Sequence, residues 1–320
     1  KAAYIGGCQN TSNIATGNEF GIQPSGTMAH SYVTAFGCSI NGEYQAFDTY
    51  IKTHKNEVLI LLTDTYDTLK CGVKNAIRAF KNNGIDDSYP YGYGIRLDSG
   101  DLTYLSIEAR KMLDAAGLFN CKIFATNALD EYLITELERQ GCKVDSYGVG
   151  DAIATSKHNP CFGNVYKLVQ IDDMPVLKRS EEISKLINPG FQITYRIIQN
   201  NKFKGDVTCL RGDSLSKAIE NKESIVLRDE KDRLRTTSFN AGEYEFRILQ
   251  HHIMKDGKVI LEDIPIQEKR NYYVDNLAHL DDTQKRLINP HYYKVDISDD
   301  LYDLKERLIT NIVREIDTFV

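Results

Sequence analysis

The side chains of this chain that could do chemistry stand in short polar clusters that directly follow apolar runs. The clearest cluster, Arg96–Asp101, brings together an arginine, two aspartates and a glycine. A guanidinium holds a phosphate or a carboxylate through two parallel hydrogen bonds, and carboxylates bind sugar hydroxyls or a magnesium ion. Asp101 can instead cap the following helix, but a cap gives no reason to bury Arg96 at a strand end. The cluster therefore predicts an anion-binding site.

His30 stands in the segment Gly26–Ser31, at the predicted start of a helix. Backbone N–H groups at a helix N-terminus favour anions, so a histidine in the first turn would face such a site. There it would serve as acid, base or nucleophile. The alternative is an ordinary, partly buried histidine with satisfied hydrogen bonds, and the sequence leaves both readings open.

Gly148, Gly150 and Asp151 follow a further apolar run. The glycines permit a tight turn whose backbone amides approach a phosphate, although glycine is common in turns of every kind. We predict Asp151 as the N-cap of a short helix, because Asp is a favoured cap. Asp64 and Asn127 also follow apolar runs, and each of them alone is more often a helix cap than a ligand.

The elements that must position these side chains alternate regularly between residues 57 and 151. Strand, polar turn and helix in repetition are typical of parallel βα units, in which the working residues lie at the C-terminal ends of the strands. We therefore expect the polar clusters to meet at one edge of a parallel sheet, in a barrel or in an open sheet. The predicted strands are 58–62, 93–97, 122–126 and 144–147, and the predicted helices are 73–81, 102–116 and 129–140.

A smaller β-rich module is predicted after Pro160, where short apolar runs alternate with Gly and Asp turns. We place the domain boundary between residues 185 and 186, which gives a barrel portion at 1–185 and a β-rich module with a C-terminal helix at 186–320. A further strand is predicted at residues 2–5. The strands predicted after Pro160 are 164–169, 175–178, 193–198, 224–227, 244–248 and 258–261, and the predicted C-terminal helix is 299–318.

The composition excludes several classes of protein. Charged residues make up 26% of the chain and hydrophobic residues 42%, with a net charge of -6, so a basic nucleic-acid-binding face is not expected. No apolar stretch approaches the roughly 18–20 residues that a membrane span needs. The seven cysteines form no C-x-x-C pair, which argues against a disulfide framework or a zinc site. Free thiols fit a reducing compartment, and we expect a cytoplasmic protein.

Taken together, ordered segments along the whole chain resemble nicotinate phosphoribosyltransferase. The resemblance implies an irregular, TIM-like α/β barrel of the type II phosphoribosyltransferases, with a second domain built from N-terminal and late residues. The segments that carry it are Tyr4–Gly7, Thr11–Asn13, Gly26–Ser31, Asp64–Thr68, Arg96–Leu102, Asn127 with Asp130 and Glu131, Gly148–Gly150, Val165–Leu168, Asn188–Gly190 and Asn289–Tyr292.

The implied activity joins nicotinate to the phosphoribosyl group of phosphoribosyl pyrophosphate in NAD salvage. ATP is hydrolysed as a co-substrate, Mg²⁺ is required, and the enzyme is expected to be a homodimer. In the family the histidine that matches His30 is phosphorylated by ATP during turnover. Thr27 matches a nicotinate contact, and Arg96 matches the arginine that holds nicotinate and the phosphoribosyl group.

Further positions match the phosphoribosyl pyrophosphate contacts of the family. Asp98 and Asn127 fall where ribose and pyrophosphate contacts lie, and Gly148 and Gly150 fall in the loop for the 5′-phosphate, with Asp151 beside it. The resemblance implies that Mg²⁺ is bound with the pyrophosphate rather than by the protein alone, with Asp98 as a candidate ligand.

Two departures and one gap separate this sequence from the family pattern. Asp151 stands where the family has Thr, and Gln192 stands where it has Lys, so both changes weaken an anion site. We also expect the chain to lack an N-terminal part that supplies barrel strands, nicotinate-site residues and dimer contacts, so the chain alone is expected to be an incomplete enzyme. Two alternatives therefore stand: a relative that acts on nicotinamide, and a non-catalytic homologue that binds a nucleotide or a partner.

Overall fold

The computed structural model of the protein describes residues 1–178 and 186–319. The chain divides into two compact units, Lys1–Phe162 and Gly163–Val320. The boundary that the sequence placed between residues 185 and 186 stays a prediction, because residue 185 lies outside the described part of the chain.

The first unit is built on a parallel sheet of four strands that lie side by side in chain order. Its strands are β1 (Leu59–Leu62), β2 (Tyr93–Leu97), β3 (Lys122–Ala125) and β4 (Ser146–Tyr147). Its helices are α1 (Ala2–Ile5), α2 (Ile14–Phe20), α3 (His30–Thr34), α4 (Ile40–Thr53), a π-helical turn (Thr68–Gly72), α5 (Val73–Asn82), α6 (Leu102–Ala115), α7 (Glu131–Arg139) and α8 (Asp151–Ala154).

The sequence predicted these βα units, and the structure confirms all four strands and three helices with bounds that shift by at most two residues. All four residues of β1 are buried, as expected of a strand that helices cover on both faces. The helix α5 buries Val73, Ala76 and Phe80 on one face, and the Phe80 ring packs edge-on against Tyr93 of β2, with 5.1 Å between the ring centres. Strands and helices thus share one apolar core, which fixes where each strand ends.

The strand predicted at residues 2–5 is wrong, because these residues form the single helical turn α1. Alanine has the highest intrinsic helix propensity, and the Gly6 amide closes the turn on the Ala2 carbonyl at 2.8 Å. A four-residue apolar run does not distinguish a strand from a helical turn.

The π-helical turn between β1 and α5 was not predicted. Asp67 accepts a hydrogen bond from the Lys70 amide at 2.8 Å and so begins the turn. Gly72 ends it, and its Cα lies so close to β1 that an added Cβ would overlap the Thr63 carbonyl oxygen. Turns of this kind are rare and often occur at functional sites. Here the turn brings the start of α5 against the end of β1.

The second unit holds a six-stranded sheet with the spatial order β10-β9-β14-β8-β7-β11. All pairs are antiparallel except β14 with β8. The strands are β5 (Gln170–Ile171), β6 (Met174–Pro175), β7 (Gln192–Gln199), β8 (Lys202–Leu210), β9 (Ile225–Asp229), β10 (Thr236–Phe239), β11 (Glu245–Ile248), β12 (Met254–Lys255), β13 (Lys258–Val259) and β14 (Val295–Ile297). The helices are α9 (Ser214–Glu220), α10 (Ile266–His279) and α11 (Asp299–Thr318).

Several elements predicted for this unit are confirmed, among them β7, β9, β11 and α11. The strands predicted at 164–169 and 175–178 are wrong. Residues 164–169 form no strand, Tyr166 is 99% exposed, and in the described part of the chain no strand pairs with this segment. Only the two-residue pair β5 and β6 forms around Asp172, whose φ is 49°.

The strand β8 was missed although its signal stood in the sequence. Asn200 and Asn201 join β7 to β8, and both have positive φ (53° and 58°). Two left-handed residues are what a tight hairpin needs, and Asn is one of the few residues that accepts them. Within the described ranges, no helix is long and apolar enough to cross a membrane.

The contact of Gly72 with β1 gives a stability prediction. We expect Gly72→Ala to lower the free energy of unfolding by at least about 2 kcal/mol, because a methyl group there must displace the Thr63 backbone. Gly26→Ala is the control, since nothing lies within 4 Å of its added Cβ, and we expect a change below about 0.5 kcal/mol. Urea unfolding of both variants gives the comparison, and equal losses would contradict the close approach.

Candidate functional site

The carboxyl ends of β1 and β2 lie side by side, because Leu62 pairs with Arg96 in the parallel register. The next pair continues the line, with Leu97 opposite Ala125 of β3. The polar residues that follow these strands therefore meet at one edge of the sheet, as the sequence predicted. The start of α3 reaches the same edge.

His30 is the first residue of α3, as predicted, and two carboxylates flank its ring. Its Nε2 lies 3.0 Å from Oδ1 of Asp64, and its Nδ1 lies 4.0 Å from Oδ2 of Asp98. The Asp64 side chain is 2% exposed, whereas the His30 side chain is 42% exposed. A buried carboxylate at this distance accepts a hydrogen bond from Nε2–H and so selects the tautomer whose Nδ1 carries a lone pair.

Asp98 has a contact on each carboxylate oxygen. Oδ1 accepts a hydrogen bond from the Thr126 hydroxyl, and Oδ2 lies 3.5 Å from an Arg96 guanidinium nitrogen. The Asp98 side chain is 27% exposed, so one side of this carboxylate faces solvent. It is therefore held in place and still accessible to a ligand.

Arg96 reaches from β2 to the segment before α3. Its Nη1 donates to the Thr27 hydroxyl and, at 3.3 Å, to the Met28 carbonyl oxygen. Its Nε is buried and has no hydrogen-bond partner among the described residues. An unpaired buried donor on a guanidinium costs free energy, which a bound acceptor can recover. We call His30, Asp64, Arg96 and Asp98 the His30 cluster.

Sequence reasoning missed two hydroxyl groups that hold the carboxylates of the His30 cluster. Ser99 donates to Oδ2 of Asp64 at 2.5 Å, and Thr126 donates to Oδ1 of Asp98. Each carboxylate thus has one oxygen fixed by a hydroxyl and its other oxygen on the side of the His30 ring. Ser99 stands two residues after the predicted strand 93–97, and Thr126 is the last residue of the predicted strand 122–126. These positions were the only available signal. Asp64 itself was treated as a helix cap, but its contacts place it in the site.

Gly148 closes the edge of the sheet beside Thr126. Its amide donates to the Ala125 carbonyl at 2.9 Å, and an added Cβ would lie 2.7 Å from the Thr126 methyl carbon. The glycine is therefore needed for close approach. Asn127 is exposed with φ of 93°, so it lies next to Thr126 in a left-handed conformation and not within the His30 cluster.

The predicted N-cap role of Asp151 is wrong. Gly150 occupies the cap position, and Asp151 is the first residue of the four-residue helix α8, with an exposed side chain. Within residues 1–178 and 186–319, Asp151 forms no side-chain hydrogen bond or ion pair with the His30 cluster. Gln192, the other departure from the family pattern, bonds its side-chain amide to the Asn188 carbonyl of the preceding turn.

Behind the site, Glu43 of α4 is fully buried. Burial raises the pKa of its carboxyl, the Asn75 and Cys71 side chains partly offset the rise by hydrogen bonding, and the negative charge of Asp64 adds to it. The Asn75 amide donates to Glu43 at 2.8 Å. A raised pKa makes the charged form of Glu43 less favourable than it is in water. Among the described residues, no group of three His, Cys, Asp or Glu side chains is arranged to hold a metal ion.

Comparison with known proteins shows which proteins this chain is related to. Residues 191–305 match the family described as nicotinate phosphoribosyltransferase C-terminal domain. The chain is 36% identical to the nicotinate phosphoribosyltransferase of Bacillus subtilis, over 99% of this chain and 63% of that protein. It is 29% identical to the nicotinate phosphoribosyltransferase of Dictyostelium discoideum, over 96% of this chain and 59% of that protein. The predicted resemblance is confirmed. The chain is a relative of the nicotinate phosphoribosyltransferases.

Solved structures show the same fold. The human nicotinic acid phosphoribosyltransferase matches with a TM-score of 0.69 and 21% identity, over 96% of this chain and 66% of that one. A nicotinate-nucleotide pyrophosphorylase from Pyrococcus furiosus matches with a TM-score of 0.56 and 22% identity, over 87% of this chain and 60% of that one. The predicted α/β fold class is thus confirmed. The chain spans about three fifths of the length of the curated relatives named above.

The contact between Asp64 and His30 predicts one imidazole tautomer in this nicotinate phosphoribosyltransferase relative. In the neutral ring, we expect the proton on Nε2, and we expect Asp64→Ala to give a mixture of both tautomers because the buried acceptor is lost. The measurement is the pair of ring ¹⁵N chemical shifts of His30. Asp67→Ala is the control, since Asp67 lies on the same loop and contacts Lys70 rather than His30. A mixture already present in the unsubstituted protein would contradict the geometry.

Proposed function

We propose that the protein transfers a phosphoribosyl group from phosphoribosyl pyrophosphate to the ring nitrogen of nicotinate. The products are nicotinate mononucleotide and pyrophosphate. The observation that carries the proposal is the His30 cluster, in which a half-buried histidine lies between two carboxylates beside an arginine at the ends of parallel strands. The names of the relatives support the same substrates.

The chemistry of phosphoribosyl transfer suits these residues. The ribosyl carbon develops positive charge as pyrophosphate leaves, so a fixed carboxylate near the sugar lowers the barrier. Asp98 has the required exposure and is held by Thr126 and Arg96. Arg96 has an unpaired Nε and a partly exposed guanidinium, which suits a carboxylate or phosphate acceptor.

His30 provides the link to ATP in this proposal. With Nε2 engaged by Asp64, the lone pair on Nδ1 attacks the terminal phosphorus of ATP, and ADP leaves with the electrons of the broken P–O bond. The phosphoryl group adds negative charge between Asp64 and Asp98, which repels both carboxylates and rearranges the site. Hydrolysis of the phosphohistidine after product formation resets it. ATP hydrolysis thereby drives the synthesis.

Mg²⁺ would join the reaction with the pyrophosphate group. Oxygen atoms of the substrate would supply most of its ligands, because Mg²⁺ is usually bound through one or two carboxylates together with substrate phosphates. The partly exposed carboxylate of Asp98 is the side chain of the His30 cluster suited to complete its shell. A bound Mg²⁺ neutralises charge on the leaving group.

The remaining parts of the proposal rest on the resemblance to the family. They are a place in NAD salvage, a homodimer, a cytoplasmic location, and binding of the 5′-phosphate by the turn at Gly148 and Gly150. Backbone amides of a tight turn next to a short helix suit a phosphate.

The direct test is formation of nicotinate mononucleotide from nicotinate, phosphoribosyl pyrophosphate and Mg²⁺, with and without ATP. We expect product from nicotinate and a higher product yield with ATP. Nicotinamide in place of nicotinate is the comparison substrate. A preference for nicotinamide would redirect the proposal to that substrate, and ATP-independent synthesis from nicotinate would remove the role of His30.

A histidine variant tests the ATP step separately. We expect His30→Ala to lose the stimulation of product formation by ATP, because the variant lacks the imidazole that lies between Asp64 and Asp98. His54→Ala is the matched control, since His54 lies at the end of α4 and contacts Glu57. Initial rates with and without ATP decide the outcome, and a variant that keeps its full ATP stimulation would rule out His30 as the acceptor.

Arginine variants test the anion contact. We expect Arg96→Ala to lower kcat/KM roughly 100-fold, because it leaves a bound anion without its charged partner. This corresponds to a loss of about 3 kcal/mol of transition-state stabilisation. Arg96→Lys should restore only part, since Lys lacks the planar fork. Arg139→Ala is the control, because its side chain is 73% exposed on α7. Near-normal kcat/KM in Arg96→Ala would assign Arg96 a structural role only.

A further inference from the structure

A cavity of 660 Å³ lies within the second unit. It opens between the β7–β8 hairpin, which contributes Arg196 and Phe203, and α10, which contributes Tyr273 and Leu277. Its walls also include Tyr293, just before β14. Pockets for small organic ligands typically measure about 300–1,000 Å³ and combine apolar walls with a few polar groups. The size and lining of this cavity match that description.

Polar contacts join α10 to the sheet. The Lys202 ammonium group donates to the carbonyls of Ala278 and Leu280 at 2.9 and 3.1 Å, and Arg247 donates to Asn276 at 2.8 Å. No residue of α10 is buried. Long cationic side chains thus link the strands to α10, and Tyr273 and Leu277 of α10 line the cavity. A pocket of this size with apolar walls is a candidate binding site.

Two arginines lie near the Phe203 ring, and of these two Arg196 lines the cavity while Arg247 does not. Arg196 forms two parallel hydrogen bonds with Asp206, at 2.8 and 2.9 Å, and Tyr293 donates to the same carboxylate at 2.8 Å. The guanidinium carbon atoms of Arg196 and Arg247 lie 4.6 and 5.9 Å from the centre of the Phe203 ring. Among the described residues, Arg247 forms no ion pair. Two guanidinium groups therefore lie near one ring, and the Asp206 carboxylate pairs with that of Arg196.

We propose that this cavity binds a small aromatic monoanion, such as an aryl carboxylate. The aromatic body would pack against Phe203, Tyr273 and Leu277, and the anionic group would lie on the side of the guanidinium groups. Burial of an aromatic ring supplies most of the affinity, and the unmatched positive charge selects an anion over a neutral analogue. The proposal does not depend on the phosphoribosyl transfer reaction, because every residue that lines the cavity belongs to the second unit.

The test is isothermal titration of the 320-residue chain with 2-naphthoate and with its neutral analogue 2-naphthamide, in the absence of ATP and phosphoribosyl pyrophosphate. We expect one saturable site for 2-naphthoate and binding of the amide about tenfold more weakly, the scale of one partly screened charge contact. Equal affinities, or binding that does not saturate at one site, would overturn the proposal.

Two variants on one helix locate the site. We expect Leu277→Trp to fill the cavity and abolish binding of 2-naphthoate, and Val274→Trp to leave binding unchanged, because Val274 is exposed on α10 and does not line the cavity. Thermal unfolding verifies that both variants fold. Binding that persists in Leu277→Trp would place the ligand elsewhere and overturn the proposal.

A charge variant keeps the test decisive if Leu277→Trp does not fold. Arg247→Gln retains a donor for Asn276 and removes the unmatched charge. We expect it to weaken 2-naphthoate about tenfold and to leave 2-naphthamide unchanged. An equal effect on both ligands, or no effect on either, would contradict the charge argument.

Discussion

The hydrogen bond between Asp64 and His30 is the contact on which the rest of the candidate site depends. Asp64 is almost completely buried, and a buried carboxylate is stable only when its oxygens are hydrogen-bonded. Ser99 fixes one oxygen, so the other is left for His30. This arrangement sets the position and tautomer of the ring, and it turns Nδ1 towards Asp98. The chemistry proposed for His30 follows from that orientation.

The sheet makes this contact possible because it aligns the strand ends. The register of Leu62 with Arg96 brings the loop after β1 next to the loop after β2, and the π-helical turn packs Gly72 against the end of β1. Glu43 lies buried behind Asp64, and burial raises the pKa of its carboxyl. Apolar packing therefore determines where the strand ends lie, while the hydroxyl groups of Ser99 and Thr126 hold the carboxylates of Asp64 and Asp98. The same division of roles recurs at Asp98, which Thr126 holds from the next strand.

The sequence predicted the parts of this site that local pattern determines. Apolar runs of strand length marked where Arg96 and Asp98 would stand, and the polar segment before α3 marked His30. It did not predict the roles of Asp64, Ser99 and Thr126, since these depend on which loops meet in space. The cap prediction for Asp151 failed because Gly150 already occupies the cap position. The strand predicted at residues 164–169 is wrong, because a strand forms only beside a neighbouring strand. An apolar run in the sequence does not show whether such a neighbour is present.

The role proposed for His30 is tested most directly by finding which of its ring nitrogens accepts a phosphoryl group from ATP. Two-dimensional ¹H–³¹P correlation of the ATP-treated protein distinguishes the two ring positions. Because Nε2 of His30 lies 3.0 Å from Oδ1 of Asp64, we expect a phosphoryl group on Nδ1 alone. A phosphoryl group on Nε2, or on another residue, would contradict the role assigned to the contact between Asp64 and His30.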